Sequence, residues 1–199
     1  MNRIQKFSFT LLALALAGAA VPPPTTQMNL LTAYNSEVNA SLRYNSFANK
    51  AEAEDYPGVA GVFRAVAYSE KIHSENHAAA LAELGVRAVE SVISYEVKTT
   101  EKNLEEAIMI EKNESGKTYP DFIKQASLEK NERAMISLNG AKASEEGHYK
   151  LFARLRRSTE EWKHKIEILV CRNCGFATED KDIRVCPFCG RQGETFSRM

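Results

Sequence analysis

From Met28 to about Glu54, the residues Leu30, Tyr34, Glu37, Ser41, Tyr44 and Ala48 recur at spacings of three and four, the period of one helix face. Glu37 is the only charged residue on that stripe. Asp55-Tyr56-Pro57-Gly58 reads as a turn, with Pro57 suited to the first turn of a second helix. That helix is predicted from Pro57 to Leu84, burying Val59, Val62, Phe63, Val66 and Ala67, and Gly85 ends it. Residues 86–97 carry no helical period and are long enough to cross the end of a bundle. A third helix is predicted from Thr99 or Thr100, carrying Leu104, Ala107, Ile108, Glu111 and Glu114. Gly116 and Pro120 taken alone would end it.

An internal repeat argues that the third helix continues. A shift of 75 residues carries Tyr44, Phe47, Ala51, Glu54, Glu70 and His73 onto Tyr119, Phe122, Ala126, Glu129, Glu145 and His148. Tyr44 sits well inside the first helix, so Tyr119 belongs inside the third, with a kink at Pro120. A fourth helix runs from about Asn131 to Arg157. The pattern predicts two similar helical hairpins, an all-α four-helix bundle over residues 28–158.

The ends differ in character. After a tether-like stretch from Ser158 to Lys165, Ile166, Ile168 and Val170 alternate as in a strand. Two Cys-x-x-Cys pairs follow, so residues 166–199 read as a small domain held by metal rather than by an apolar core. At the other end, Arg3 and Lys6 precede an uncharged run from Phe7 to Val21, with Ala17-Gly18-Ala19 as a cleavage site. Residues 1–20 therefore read as a signal peptide, and 21–27 as a proline-rich linker. The expected location is exported, in the periplasm, or the cytoplasm if the signal does not function. An uncleaved anchor and a buried helix are the alternative readings of the run.

Composition changes the picture little. Lys+Arg and Asp+Glu balance at 26 each, which gives no reason to expect nucleic acid as a partner. Half of the six prolines lie at 22–24, leaving the middle of the chain nearly free of helix breakers.

The chemistry lies in the polar residues on the apolar stripes. Glu70-x-x-His73 and Glu145-x-x-His148 each set a carboxylate and an imidazole on one helix face. With Glu37 from the first helix and Glu111 from the third, they make the ligand pattern of a two-metal carboxylate site. Glu114 adds a fifth glutamate on the Glu111 face. Buried carboxylates need partners, and two divalent or trivalent cations supply the charge. Oxygen-rich ligands with two imidazoles suit iron or manganese. Glu105, Glu106, Glu129, Glu132 and Glu146 read as solvated faces, and His77 as a surface residue or a neighbour of the ligands. Cys171, Cys174, Cys186 and Cys189, with eleven residues between the pairs, match a tetrahedral thiolate site for zinc or one iron. A working redox centre nearby favours iron, and two disulfides are the third alternative in an exported protein.

These residues resemble the rubrerythrin family. Asn29-Leu30, Glu37, Arg43-Tyr44 and Phe47-Ala48 resemble its first helix, and Phe63-Arg64 with Glu70 and His73 its second. Asn103-Leu104, Glu111, Glu114 and Tyr119-Pro120-x-Phe122 resemble its third, Glu145 and His148 its fourth, and Cys171-Arg172-Asn173-Cys174-Gly175 its tail. The resemblance implies a ferritin-like bundle with a rubredoxin-like C-terminal domain, and a non-haem di-iron peroxidase that reduces hydrogen peroxide to water. It implies that Glu37, Glu70, His73, Glu111, Glu114, Glu145 and His148 bind two irons, and that the four cysteines bind a third. It further implies that Glu114 exchanges with His73 on one iron, and that Tyr44 and Tyr119 donate hydrogen bonds to ligating carboxylates. An electron-donating reductase or redox carrier is the expected partner. The expected assembly is a homodimer in which one subunit's tail approaches the other's di-iron site. The apparent export signal departs from the family's usual cytosolic setting and leaves the electron donor open. The alternative function is ferroxidase or iron handling with a structural zinc ribbon, and Glu114 beside an iron-competent tail argues against it. A zinc-held interaction module on a metal-free bundle would need these glutamates to be solvated.

Overall fold

The computed structural model describes residues 25–199. The expected signal at 1–20 lies outside the described residues, as do positions 21–24 of the expected linker. Five α-helices follow: α1 (Thr26–Ala53), α2 (Pro57–Glu83), α3 (Thr100–Asn113), α4 (Tyr119–Leu128) and α5 (Glu132–Arg157). Helix α1 starts earlier than the expected Met28, because Thr25 caps it by accepting from the Met28 N–H. The Glu129 carboxylate also accepts from the Thr26 N–H at 3.1 and 3.2 Å. Asn131 caps α5 in the same way as Thr25, accepting from Ala134. Gly85, at φ +72°, ends the α2 hairpin arm where a residue with a Cβ would be strained.

The crossover between α2 and α3 is irregular yet tied down. Asn35 and Asn39 of α1 bond to its backbone: the Ser91 N–H donates to Asn35 Oδ1 at 2.6 Å, and the Ile93 N–H to Asn39 Oδ1 at 2.9 Å. These amides replace the partners that a helix or sheet would provide.

Helices α3 and α4 form one continuous rod joined by a π-helical turn, Glu114–Thr118, in which the Tyr119 N–H reaches back to the Glu114 carbonyl. This turn takes the place of the expected kink at Pro120. A π turn holds one residue more than an α turn. Pro120 is the second residue after it, so the missing N–H falls in the first turn of α4, where the hydrogen-bond ladder changes register.

Two apolar clusters lie along the bundle with a polar layer between them. In one, Tyr44, Phe47, Phe63 and Phe152 pack with centroids such as Phe63–Phe152 at 5.0 Å and Tyr44–Phe152 at 5.4 Å. Leu30, Leu81, Tyr119 and Leu138 anchor the other. Glu37 sits on α1 between Tyr34 of the second cluster and Ala40 of the first.

The stretch from Ser158 is not a tether. Thr159–Lys163 is a 3-10 turn that buries Trp162, whose Nε1–H donates to the Leu155 carbonyl at 2.8 Å and whose ring meets Tyr56 edge-on at 4.9 Å. Gly58 of α2 makes this fit, since a Cβ there would lie 2.2 Å from the Glu161 carbonyl oxygen. The tail is a small antiparallel sheet in the order β2-β1-β3, with β1 Leu169–Cys171, β2 Ala177–Thr178 and β3 Phe196–Arg198. Ile166, Ile168 and Val170 share one face as expected and pack on the bundle's apolar cluster, and the three residues of β1 are all buried. Ile168 and Val170 join the bundle's apolar cluster while Cys171 joins the cysteine cluster, so β1 is covered on both sides.

Candidate metal centre

Four rods deliver the polar layer. Glu37 comes from α1, Glu70 and His73 from α2, Glu111 from α3, and Glu145 and His148 from α5. All six are at most 1 % exposed. Their ligand atoms form two overlapping groups, Glu37/Glu70/His73/Glu145 and Glu70/Glu111/Glu145/His148, each with its atoms within 4.8 Å of one another. Glu70 and Glu145 belong to both groups, as carboxylates bridging two ions would. Both imidazoles turn Nδ1 inward: His73 lies 2.8 Å from Glu70 and 3.2 Å from Glu145, and His148 lies 3.1 Å from Glu145 and 3.4 Å from Glu111. Glu114 stands outside both groups and accepts from Ser36 Oγ at 2.5 Å.

The outer shell repeats the hairpin symmetry. The Tyr44 hydroxyl of α1 donates to Glu111 on the third rod, and the Tyr119 hydroxyl of that rod donates to Glu37 on α1. Burial first, then nearby carboxylates, push both phenols well above their ordinary range and keep them donors. His77, read as a surface residue or a neighbour of the ligands, is fully buried. It bonds Ser137 Oγ through Nδ1 at 2.7 Å and the Tyr119 hydroxyl through Nε2 at 3.1 Å. Burial, then His73, push His77 down to about 3, so it is neutral. Because Tyr119 donates to Glu37, Nε2 carries the His77 proton and Nδ1 accepts from Ser137. One signal in the sequence marked His77 as inward-facing: it lies one helical turn after His73.

The donor set fits a cation pair. Glu37 Oε2, Glu70 Oε1, Glu111 Oε2 and Glu145 Oε1 are buried without a hydrogen-bond partner, an arrangement that is costly unless positive charge completes it. Burial first, then surrounding carboxylates, push Glu37 and Glu111 well above the usual carboxylate range and Glu114 up to about 8. Burial opposes the charge of Glu145 too, but the facing Glu111 carboxyl and the His148 and His73 rings hold it well below that range. Burial pulls His73 down, but its bonds to Glu145 and Glu70 win and raise it to about 9. Without metal, protons occupy the places where cations belong.

The four cysteines form a second centre. They are unpaired, with Cys171–Cys189 sulfurs 3.7 Å apart and Cys174–Cys186 sulfurs 3.5 Å apart. Metal–sulfur bonds of about 2.3 Å in a tetrahedron give sulfur separations of about 3.8 Å. Gly175 and Gly190 adopt φ +80° and +70°, but their N–H groups donate to the Cys171 and Cys186 carbonyls rather than to sulfur. The sulfurs take their bonds from within the knuckles: Cys171 from the Asn173 and Cys174 N–H groups, and Cys186 from those of Phe188 and Cys189.

The two centres touch. Ser69 Oγ of α2 donates to the Gly175 carbonyl at 2.5 Å, and Asn76 Nδ2 to the Asn173 carbonyl at 3.0 Å. A Cβ on Gly175 would lie 2.3 Å from His73 Nε2. The residue after Cys174 therefore rests against the imidazole of a candidate ligand.

A helical bundle with a buried two-metal carboxylate layer, joined to a tetrathiolate tail, defines a ferritin-like di-iron protein with a rubredoxin-like domain. The rubrerythrin profile matches residues 28–156, and the chain belongs to the rubrerythrin family. It is 33 % identical over 170 residues to rubrerythrin-2 of Clostridium acetobutylicum, covering 84 % of this chain and 92 % of that one. It is 31 % identical over 180 residues to rubrerythrin of Porphyromonas gingivalis, covering 87 % and 90 %. A structure of nigerythrin in a mixed-valence state superposes with TM-score 0.83 at 26 % identity, covering 92 % of this chain and 91 % of that one. Family members bind a di-iron site and an iron on four cysteines, and both donor sets are present here. The family consists of oxidoreductases linked to peroxide and oxidative stress.

Proposed function

We propose that this protein is a peroxidase that reduces hydrogen peroxide to water at a di-iron centre, with electrons entering through the tail. The observation that carries the proposal is the contact of Gly175 with His73, which sets a one-electron site against the two-metal site. A structural zinc ribbon has no need of that contact. Glu37, Glu70, His73, Glu111, Glu145 and His148 would hold the iron pair, with Glu114 as the exchangeable carboxylate, and Cys171, Cys174, Cys186 and Cys189 would hold the single iron. Iron held there would supply the two electrons that, with two protons, convert peroxide to two waters, and iron on the four cysteines would supply electrons singly. Tyr44 and Tyr119 fix one oxygen each of Glu111 and Glu37, leaving the second oxygen for metal. The apolar clusters on either side keep bulk water from the layer.

The experiment is a rapid mix of reduced, iron-loaded protein with peroxide. Metal analysis is expected to give about three irons per chain. Oxidation of the bundle irons should precede that of the tail iron, whose visible spectrum reports it. Zinc in the tail, or bundle irons that peroxide leaves reduced, would overturn the proposal. Export through residues 1–20 belongs to the same proposal, and N-terminal sequencing of protein from the periplasm checks it.

A further inference from the structure

The six inward ligand residues are sealed, so a substrate needs a way in. Glu114, 7 % exposed, is the one glutamate of the centre that reaches the surface. It lies in the floor of a hollow of about 470 Å3 whose walls include Ser36, Arg43, Met109 and Asn113. A second hollow, of about 930 Å3 between α5 and the tail, is lined by none of the centre's glutamates or histidines.

Two features inside the smaller hollow point to a polar guest. Arg43 Nε is buried with no hydrogen-bond partner; its nearest carboxylate, Glu106, is 3.9 Å away. A guanidinium N–H left open beside a cavity is a donor awaiting an acceptor. The other feature is Ser36, whose hydroxyl holds Glu114 back from both ligand groups. The hydroxyl thereby keeps the floor of the hollow from closing over the metal layer.

We propose that this hollow is the entry and capture site for the hydroperoxide, with Arg43 as its binding group and Ser36 as the positioning residue that draws Glu114 aside. The proposal rests on the peroxidase reading for the identity of the guest, but not for the existence of the port. Arg43 donates to a peroxide oxygen at the wall. Ser36 competes with the metal layer for the Glu114 carboxylate, so the coordination place that Glu114 would fill stays open to the guest.

The test uses azide, a small acceptor that needs no turnover, on full-length protein with cobalt(II) in the bundle. Cobalt(II) absorbs more weakly as its coordination number rises, so its visible bands report where Glu114 sits. Ser36→Ala is expected to weaken those bands and to loosen azide binding by about tenfold, because one hydrogen bond to a charged group is lost. Ser36→Thr, which keeps the hydroxyl, should restore both. Arg43→Gln should loosen azide binding by about tenfold or more while leaving the cobalt bands unchanged. Azide affinity and cobalt bands at wild-type values in both Ser36→Ala and Arg43→Gln would overturn the port, provided that circular dichroism shows both variants folded. If wild-type protein fails to turn over peroxide while these azide differences hold, the peroxidase reading falls and the port stands.

Discussion

Each glutamate of the centre is asked to be an anion in a place that disfavours anions, and the metal-free protein should reveal the cost as a pH dependence. Glu37 and Glu111 are raised, and Glu114 stands at about 8 against an ordinary 4.5, first because of burial and then because of the Glu70 and Glu145 carboxylates. A carboxyl raised on folding contributes stability that is complete below its unfolded value and lost as pH climbs through its folded value. For Glu114 that window runs from 4.5 to about 8. His73, raised from 6.5 to about 9 chiefly by Glu145 and Glu70 against the pull of burial, has the same sign and extends the loss upward. Glu145, held low, has the opposite sign, and its contribution disappears only in acid. The melting temperature of the metal-free protein should therefore fall between pH 5 and pH 9. Metal binding should release protons and tighten over the same interval. Scanning calorimetry of metal-free and iron-loaded protein checks this: a metal-free profile that is flat or rises with pH contradicts it.

The element that most shapes the site is the π turn of the third rod, and it explains an irregularity in the repeat. Seven positions separate Glu37 from Tyr44, whereas eight separate Glu111 from Tyr119. The extra residue would rotate Tyr119 off the inner face of a regular helix, and the π turn absorbs it. Deleting Gly116, which is exposed, should restore α spacing with Glu111 and Tyr119 both still inward. The expected variant is folded, at least as stable as the parent, and without the Glu114 arrangement that opens toward Ser36. Loss of helical circular dichroism on deletion would show instead that the turn is needed for folding. The difference in spacing is legible in the sequence, as are both Glu-x-x-His motifs, because helical period fixes which residues share a face. Its form was not legible: Gly116 and Pro120 suit a kink, a break or a π turn equally, and only packing against α1 and α5 decides. His77 shows the same boundary. Its phase on α2 marked it as inward, but its partners Ser137 and Tyr119 come from other rods and share no local pattern with it.

At the scale of the whole molecule, the tail is seated on the bundle of its own chain. No periodicity could have foretold this, because Ser69 and Gly175 are 106 residues apart and share no local pattern. Here the 3-10 turn that buries Trp162 and the β1 face that joins the bundle's apolar cluster draw it inward. Gly175 is the tightest point of that seat. A methyl group there would meet His73 Nε2 at 2.3 Å and Ser69 Oγ at 2.9 Å, from a backbone at φ +80° that a Cβ strains by itself. Gly175→Ala should lift the tail off α2, leaving the tetrathiolate spectrum and the peroxide oxidation of the bundle irons near the parent's. What should slow is the later oxidation of the tail iron by the bundle. Ser69→Ala, which removes one hydrogen bond without adding bulk, should slow it less. Mixing separates delivery within a chain from delivery between chains. One variant would lack bundle metal through Glu145→Ala, the other would lack tail metal through Cys171→Ser with Cys186→Ser. Delivery within a chain predicts that the mixture stays as inactive as its parts, and recovered turnover would move the electron path to a subunit interface.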